Sequence, residues 1–211
     1  MKLQLALDFT TLADAMKIAE NLKDAIDILE IGTPWIIQEG ISVVRKMKEA
    51  FPDLTILADL KIMDAGEHEA AMAFNAGADI VTVLGFSGLD TIAAVVKQAG
   101  LYQRQVMVDM IGIDQISRKG AQIDQLGVDY ICVHTAIDRQ HRADPLVDLQ
   151  RLNKVLSHAQ SAVAGGITLA TLPNFIKENP DIVIVGSGIT KAQDKRQAAF
   201  TMQALLKERR N

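Results

Sequence analysis

Thr55-Ile-Leu-Ala-Asp59-Leu-Lys61-Ile-Met-Asp64 is an apolar run that breaks, with no turn residue between, into two acids and a lysine. Residues two apart on a strand share a face, so Asp59 and Lys61 point together from the strand end while Leu60 turns the other way. Asp64 then falls in the loop. Four more apolar runs end on a polar group: LQLAL on Asp8, IDIL on Glu30, QVMV on Asp109 and YICV on His134. Two later runs end on glycines instead, SAVA on Gly165-Gly166 and IVIV on Gly186-Ser187-Gly188.

Strand-like and helix-like runs alternate throughout, the pattern of repeated βα units around a parallel sheet. Strands are expected near 3–8, 27–31, 54–60, 79–84, 105–109, 129–133, 160–164 and 181–185. Between them runs a helical period, as in Leu12, Ala15, Ala19 and Leu22, or Leu146, Leu149, Leu152 and Leu156. Asn75-Ala-Gly77-Ala-Asp79 and Leu126-Gly127-Val-Asp129 read as matching helix-to-strand turns, echoes of an internal repeat. An open doubly wound sheet gives the same alternation but gathers its polar groups at one switch point. Here most strand ends contribute. The expectation is an α/β fold, a single-domain (β/α)8 TIM barrel over 1–211, whose mouth collects the reactive groups and whose last two loops hold phosphate.

The 211 residues are 49% hydrophobic and carry a net charge of −4, with no basic stripe that would favour nucleic acid or an anionic membrane. The apolar stretch before Asp8 is too short for a signal-peptide core, and no segment has the length of a membrane span. The lone Cys132 cannot form an internal disulfide and reads as a buried small hydrophobe, so the cytoplasm is the expected location.

A lysine between two carboxylates is held protonated, which suits a fixed positive charge that stabilises an oxyanion. It does not suit a Schiff-base lysine, which needs a lowered pKa. An ordinary ion pair at a strand end is the plainer alternative. Asp8 and Glu30 reach the same ring, however, and four carboxylates around one lysine repel unless a cation joins them; magnesium takes one or two protein carboxylates and fills its shell with water and substrate oxygens. His134 is the candidate base, because its ordinary pKa lies near neutrality. Its bland alternative is a bond to a backbone carbonyl. Asp109 either orients a substrate hydroxyl or caps its strand. His68, His141 and His158 lack metal-ligand spacing, and Lys191 and Arg196 read as a solvated helix face. The glycine pairs let backbone amides approach an anion at helix starts.

Asp8, Glu30-Ile-Gly-Thr-Pro34, Asp59-Leu-Lys61-Ile-Met-Asp64, Asp109, His134 and the paired glycine loops together resemble the orotidine-monophosphate decarboxylase superfamily, over essentially the whole chain. The resemblance implies that Glu30 and Asp59 bind Mg²⁺, with Mn²⁺ as an alternative, and that Lys61 stabilises an enediolate. It implies that Asp8, Asp59, Lys61, Asp64 and His134 are catalytic, and that Asp8, Asp109, Gly165, Gly166, Gly186, Ser187 and Gly188 contact substrate. It further implies a homodimer in which Asp64 completes the partner's site. Trp35, Ile36 and Ile37 are interface candidates, although the core is the commoner fate of such residues.

Within the superfamily the chain is most similar to the branch that condenses formaldehyde with ribulose 5-phosphate. The branch that decarboxylates 3-keto-L-gulonate 6-phosphate is the runner-up; it carries glutamate in place of Asp109, arginine in place of Ile137 and a Gly-Arg pair after the eighth strand. A barrel that binds a sugar phosphate without catalysis is the third alternative, but binding alone needs no proton acceptor opposite a metal.

Overall fold

A computed structural model describes residues 1–139 and 145–208; His141 lies outside them. The first half runs β1 (Lys2–Leu7), α1 (Leu12–Leu22), β2 (Ile28–Ile31), α2 (Thr33–Glu39), α3 (Ser42–Ala50), β3 (Thr55–Ile62), α4 (Gly66–Asn75), β4 (Ile80–Leu84) and α5 (Leu89–Tyr102). The second runs β5 (Gln105–Asp109), α6 (Ile116–Asp124), β6 (Tyr130–His134), α7 (Pro145–Asn153), β7 (Gln160–Ala164), α8 (Leu172–Lys177), β8 (Ile182–Val185), α9 (Ser187–Thr190) and α10 (Lys195–Glu208). Each strand pairs in parallel with the next, and β8 pairs with β1, closing the (β/α)8 barrel.

The strands are apolar throughout because both of their faces are covered. In β1, Leu3, Leu5 and Leu7 pack outward against the helices, while Ala6 joins Ile28, Leu57, Ile80, Met107, Tyr130 and Cys132 inside the barrel. Each fully buried leucine or isoleucine contributes about 1.5–3 kcal/mol, so these two layers carry most of the stability. In α1 the buried residues are Ala15, Ala19 and Leu22, and in α7 Pro145, Leu149 and Leu152, while Leu12, Leu146 and Leu156 of the expected stripes are partly buried. Burial pushes the Cys132 thiol well above its ordinary pKa, and nearby carboxylates add to this, as befits a packing residue.

The matched turns have a structural cause. Gly77 and Gly127 both take positive φ, and the aspartate that follows each turn reaches sideways to the preceding strand. Asp27, Asp79, Asp129 and Asp181, one before each even-numbered strand, accept the backbone N–H of Leu3, Ile56, Val106 and Ser161 at 2.8, 2.9, 2.8 and 3.0 Å. The unit of repetition at the barrel floor is thus a pair of strands clamped by one carboxylate.

At the opposite end β3 departs from regularity. Its register with β4 runs Leu57↔Ile80 and Ala58↔Val81, then jumps to Ile62↔Val83. Lys61 lies in this bulge with φ +49°, which is why β3 extends to Ile62 rather than stopping near residue 60. Period-two alternation places Lys61 on the correct face, but the bulge is what curls it back towards Asp59.

Candidate active site

Strand ends bring Asp8, Glu30, Asp59, Lys61, Asp109 and His134 into one cavity of about 1020 Å³ at the barrel mouth. Gly165, Gly166, Gly186 and Ser187 line it from the β7 and β8 side. Two candidates lie elsewhere. Gly188 is packed into α9, where a Cβ would collide with the Ile167 carbonyl. Asp64 is exposed, and its carboxylate accepts the N–H of its neighbour Ala65 at 2.7 Å.

A hydrogen-bonded line crosses the mouth. Lys61 Nζ donates to Asp59 Oδ2 at 2.6 Å and to Asp109 Oδ2 at 3.0 Å. Asp109 Oδ2 lies 2.9 Å from His134 Nδ1, while its Oδ1 accepts the Ile111 N–H at 2.9 Å. Burial works against the Asp109 anion, yet the bond from His134 and the charges of His134 and Lys61 outweigh it and lower the carboxyl to about 2. Since an ionised Asp109 only accepts, His134 carries its proton on Nδ1 and keeps the Nε2 lone pair as a base. For Lys61, burial alone would lower the pKa; the charges of Asp59 and Asp109 reverse this and raise it, leaving a permanent ammonium.

The acids on the β1–β2 side are less well compensated. Burial, and next the Asp59 charge, hold Glu30 well above the carboxylate range, against a 2.6 Å hydrogen bond from Gln4 Nε2 to its Oε2. Asp8 is raised by burial and by Asp59 in the same way. Among the described residues no three His, Cys, Asp or Glu side chains converge to hold a metal by themselves. Glu30 and Asp59 nevertheless have the donor chemistry of a hard divalent cation that completes its shell with water and substrate oxygens. A cation beside them would offset the desolvation of Glu30 and its repulsion by Asp59.

Of the glycines, Gly186 precedes α9 as expected, but Gly165 and Gly166 do not sit at a helix start, because α8 begins only at Leu172. They form a loop with φ +111° and +69°, and a Cβ at Gly165 would come within 2.6 Å of the Thr135 carbonyl oxygen. Backbone sterics require glycine there. Lys191, expected on a solvated face, lines the cavity. Arg196 is engaged by the Asn21 carbonyl and the Phe200 ring. Trp35 is buried, Ile36 partly so, and Ile37 is 79% exposed, which divides the interface candidates.

Sequence reasoning missed the residues that hold the acids. Thr33 Oγ1 lies 2.8 Å from Asp59 Oδ2, Thr82 Oγ1 donates to Asp59 Oδ1 at 2.7 Å, and Gln4 holds Glu30. Gly32 leaves room for the Asp8 carboxylate, which a Cβ there would strike. The available signal was a polar residue at an inward strand position, as in Gln4 and Thr82, where an apolar one is the rule.

Fold and site together define a (β/α)8 barrel whose mouth carries a lysine–aspartate–histidine centre beside a glycine-built loop pair. The chain belongs to the orotidine 5'-phosphate decarboxylase / HUMPS family, whose model matches residues 1–202. The 3-hexulose-6-phosphate synthase of Bacillus subtilis (strain 168) is 46% identical over 207 residues, 98% of this chain and 99% of that protein. The structure of 3-hexulose-6-phosphate synthase from Salmonella typhimurium matches with TM-score 0.96 and 42% identity, covering 99% of each chain. That of 3-keto-L-gulonate-6-phosphate decarboxylase from Vibrio cholerae O1 biovar El Tor str. N16961 matches with TM-score 0.86 and 25% identity, over 98% of this chain and 97% of that one. Among the described residues no helix is long and apolar enough to cross a membrane.

Proposed function

We propose that this chain catalyses the aldol condensation of formaldehyde with D-ribulose 5-phosphate to D-arabino-hex-3-ulose 6-phosphate, the reaction of a 3-hexulose-6-phosphate synthase, in the cytoplasm. The observation that carries the reading is the line from Lys61 through Asp109 to His134, which sets a fixed ammonium and a free imidazole nitrogen in one cavity. A divalent cation held by Glu30 and Asp59, Mg²⁺ or Mn²⁺, would polarise the substrate carbonyl.

His134 Nε2 removes the C1 proton of the pentulose, and the electron pair of the broken C–H bond forms the enediolate, its charge on O2. The Lys61 ammonium stabilises that charge, and preorganised charge of this kind is usually the largest catalytic term. C1 then attacks formaldehyde. The new C–C bond leaves an alkoxide on the former formaldehyde oxygen, which takes the proton back from His134. Asp109 keeps the imidazole in the productive tautomer throughout. Asp8 and the Gly165-Gly166 and Gly186-Ser187 loops bind the substrate's hydroxyls and phosphate.

Ile137 lines the cavity and offers no proton donor of the kind an arginine would supply to a decarboxylated intermediate, which favours condensation over decarboxylation. The same reading includes a homodimer in which Asp64 completes the partner's site. With Mg²⁺ and ribulose 5-phosphate the protein should consume formaldehyde faster than it decarboxylates 3-keto-L-gulonate 6-phosphate. No loss of formaldehyde above the blank would remove the proposal, and a reversed preference would replace it with the decarboxylase. EDTA should silence turnover and Mg²⁺ or Mn²⁺ restore it; activity surviving thorough chelation excludes the cation.

A further inference from the structure

We propose that Thr82 is a positioning residue for this reaction: its hydroxyl ties together the two ends of the β3 bulge and thereby aims the Lys61 ammonium. Between the paired positions Ala58↔Val81 and Ile62↔Val83, three residues of β3, Asp59, Leu60 and Lys61, oppose the single residue Thr82 of β4. A bulge of this kind takes backbone groups out of the ladder. The Lys61 N–H loses its strand partner and is accepted instead by Thr82 Oγ1 at 2.9 Å. The one proton of that hydroxyl goes to Asp59 Oδ1 at 2.7 Å.

The two bonds act on different parts of the centre. The first holds Lys61 in the left-handed conformation at φ +49°, which a lysine does not keep unless its surroundings impose it. The second turns the Asp59 carboxylate so that its other oxygen, Oδ2, meets Lys61 Nζ at 2.6 Å. Thr82 is 3% exposed, so water does not replace either bond. Lys61 and Asp59 both lie in the irregular stretch of β3, and the Thr82 hydroxyl is bonded to both, while Thr33 meets Asp59 alone. The inference rests on the reading of Lys61 as the group that stabilises the enediolate, and it extends that reading to a residue of the cavity wall that acts through Lys61 and Asp59.

The test compares Thr82→Val, which keeps the shape and removes both bonds, with Thr82→Ser, which keeps the hydroxyl. With the Mg²⁺-loaded enzyme, Thr82→Val should lower kcat by about 10²-fold, with KM for ribulose 5-phosphate within about threefold, while Thr82→Ser recovers kcat to within about threefold of the original. Crystal structures of both variants read the geometry without reference to the reaction. In Thr82→Val the Lys61 φ should turn negative and Nζ should leave Asp109; in Thr82→Ser both should stay. A kcat for Thr82→Val within about twofold of the original, a serine variant as impaired as the valine one, or a Thr82→Val structure that retains the Lys61 conformation overturns the proposal. Should Thr82→Val not fold, Thr82→Cys replaces it: its thiol hydrogen-bonds weakly, so kcat should fall well below that of Thr82→Ser, and equal rates overturn the proposal. An original protein that consumes no formaldehyde removes the function proposed above, and the crystallographic comparison still decides the role of Thr82.

Discussion

Asp109 holds two side chains at once. Its Oδ2 takes Lys61 from one side and His134 from the other, and Oδ1 is fixed by the Ile111 N–H, so the carboxylate cannot turn without breaking all three contacts. Asp109→Asn should lower kcat by about 10²–10⁴-fold, since an amide presents a donor either to the Lys61 ammonium or to the His134 Nδ1–H and releases the imidazole tautomer. The carboxyl also links stability to pH. Its pKa falls from 3.8 unfolded to about 2 folded, so the stability it adds is complete above about 3.8 and is lost as pH drops through 2. That shift corresponds to about 2 kcal/mol. Urea unfolding should show a gap of this order between the original and Asp109→Asn at pH 6 that closes below pH 4; a constant gap would refute the linkage. Lys61→Ala should abolish turnover while leaving the circular dichroism spectrum unchanged, because the side chain faces the mouth and not a packed layer; a folded, active variant would refute the assignment. Lys61, Asp109 and His134 were legible because each interrupts an apolar run at a strand end. Thr33, Thr82 and Gln4 were not, because their partners lie on other strands and follow only from the register.

At the scale of the elements, the eight strands were readable from their apolar runs, yet the two features that shape them were not. The β3 bulge depends on how β3 meets β4, which no local pattern encodes. The aspartate clamps were half visible: the turns at Gly77 and Gly127 looked alike, but the bond across to the preceding strand did not show. The clamp has a measurable worth. Asp181 Oδ2 accepts the N–H of Ser161, a residue only 4% exposed, so Asp181→Ala leaves that donor buried without a partner. The cost is about 1–3 kcal/mol. Asp181→Asn retains an acceptor and should lose well under half as much, measured by chemical denaturation. Equal losses for the two variants would show that charge, not the hydrogen bond, does the work. The Gly165-Gly166 pair shows the opposite limit: the sequence marked the loop correctly, but its left-handed backbone and the close approach of Thr135 to Gly165 did not show.

For the whole molecule, closure of the barrel was legible because polar groups ended most strands rather than one pair. The rim beyond β2, β3 and β4 carries apolar side chains exposed to solvent. There Ile37, Met63 and Phe86 are 79%, 52% and 55% exposed and, unlike the exposed Phe9 and Ile137, do not line the cavity; the exposed Asp64 next to Met63 does not line it either. Exposed apolar side chains following three consecutive strands suit an interface with a second copy, as the proposed dimer requires. Complementation tests this directly. Lys61→Ala and Asp64→Ala should each be inactive alone. In a mixed dimer, the Asp64→Ala subunit keeps its own Lys61 and borrows Asp64 from the Lys61→Ala subunit, so one of the two sites is whole. Unfolding and refolding the variants together in equal amounts makes half of the dimers mixed, which restores about a quarter of the original turnover. A mixture as inactive as its components would mean that Asp64 serves its own chain or none, and the exposed rim would then need another explanation.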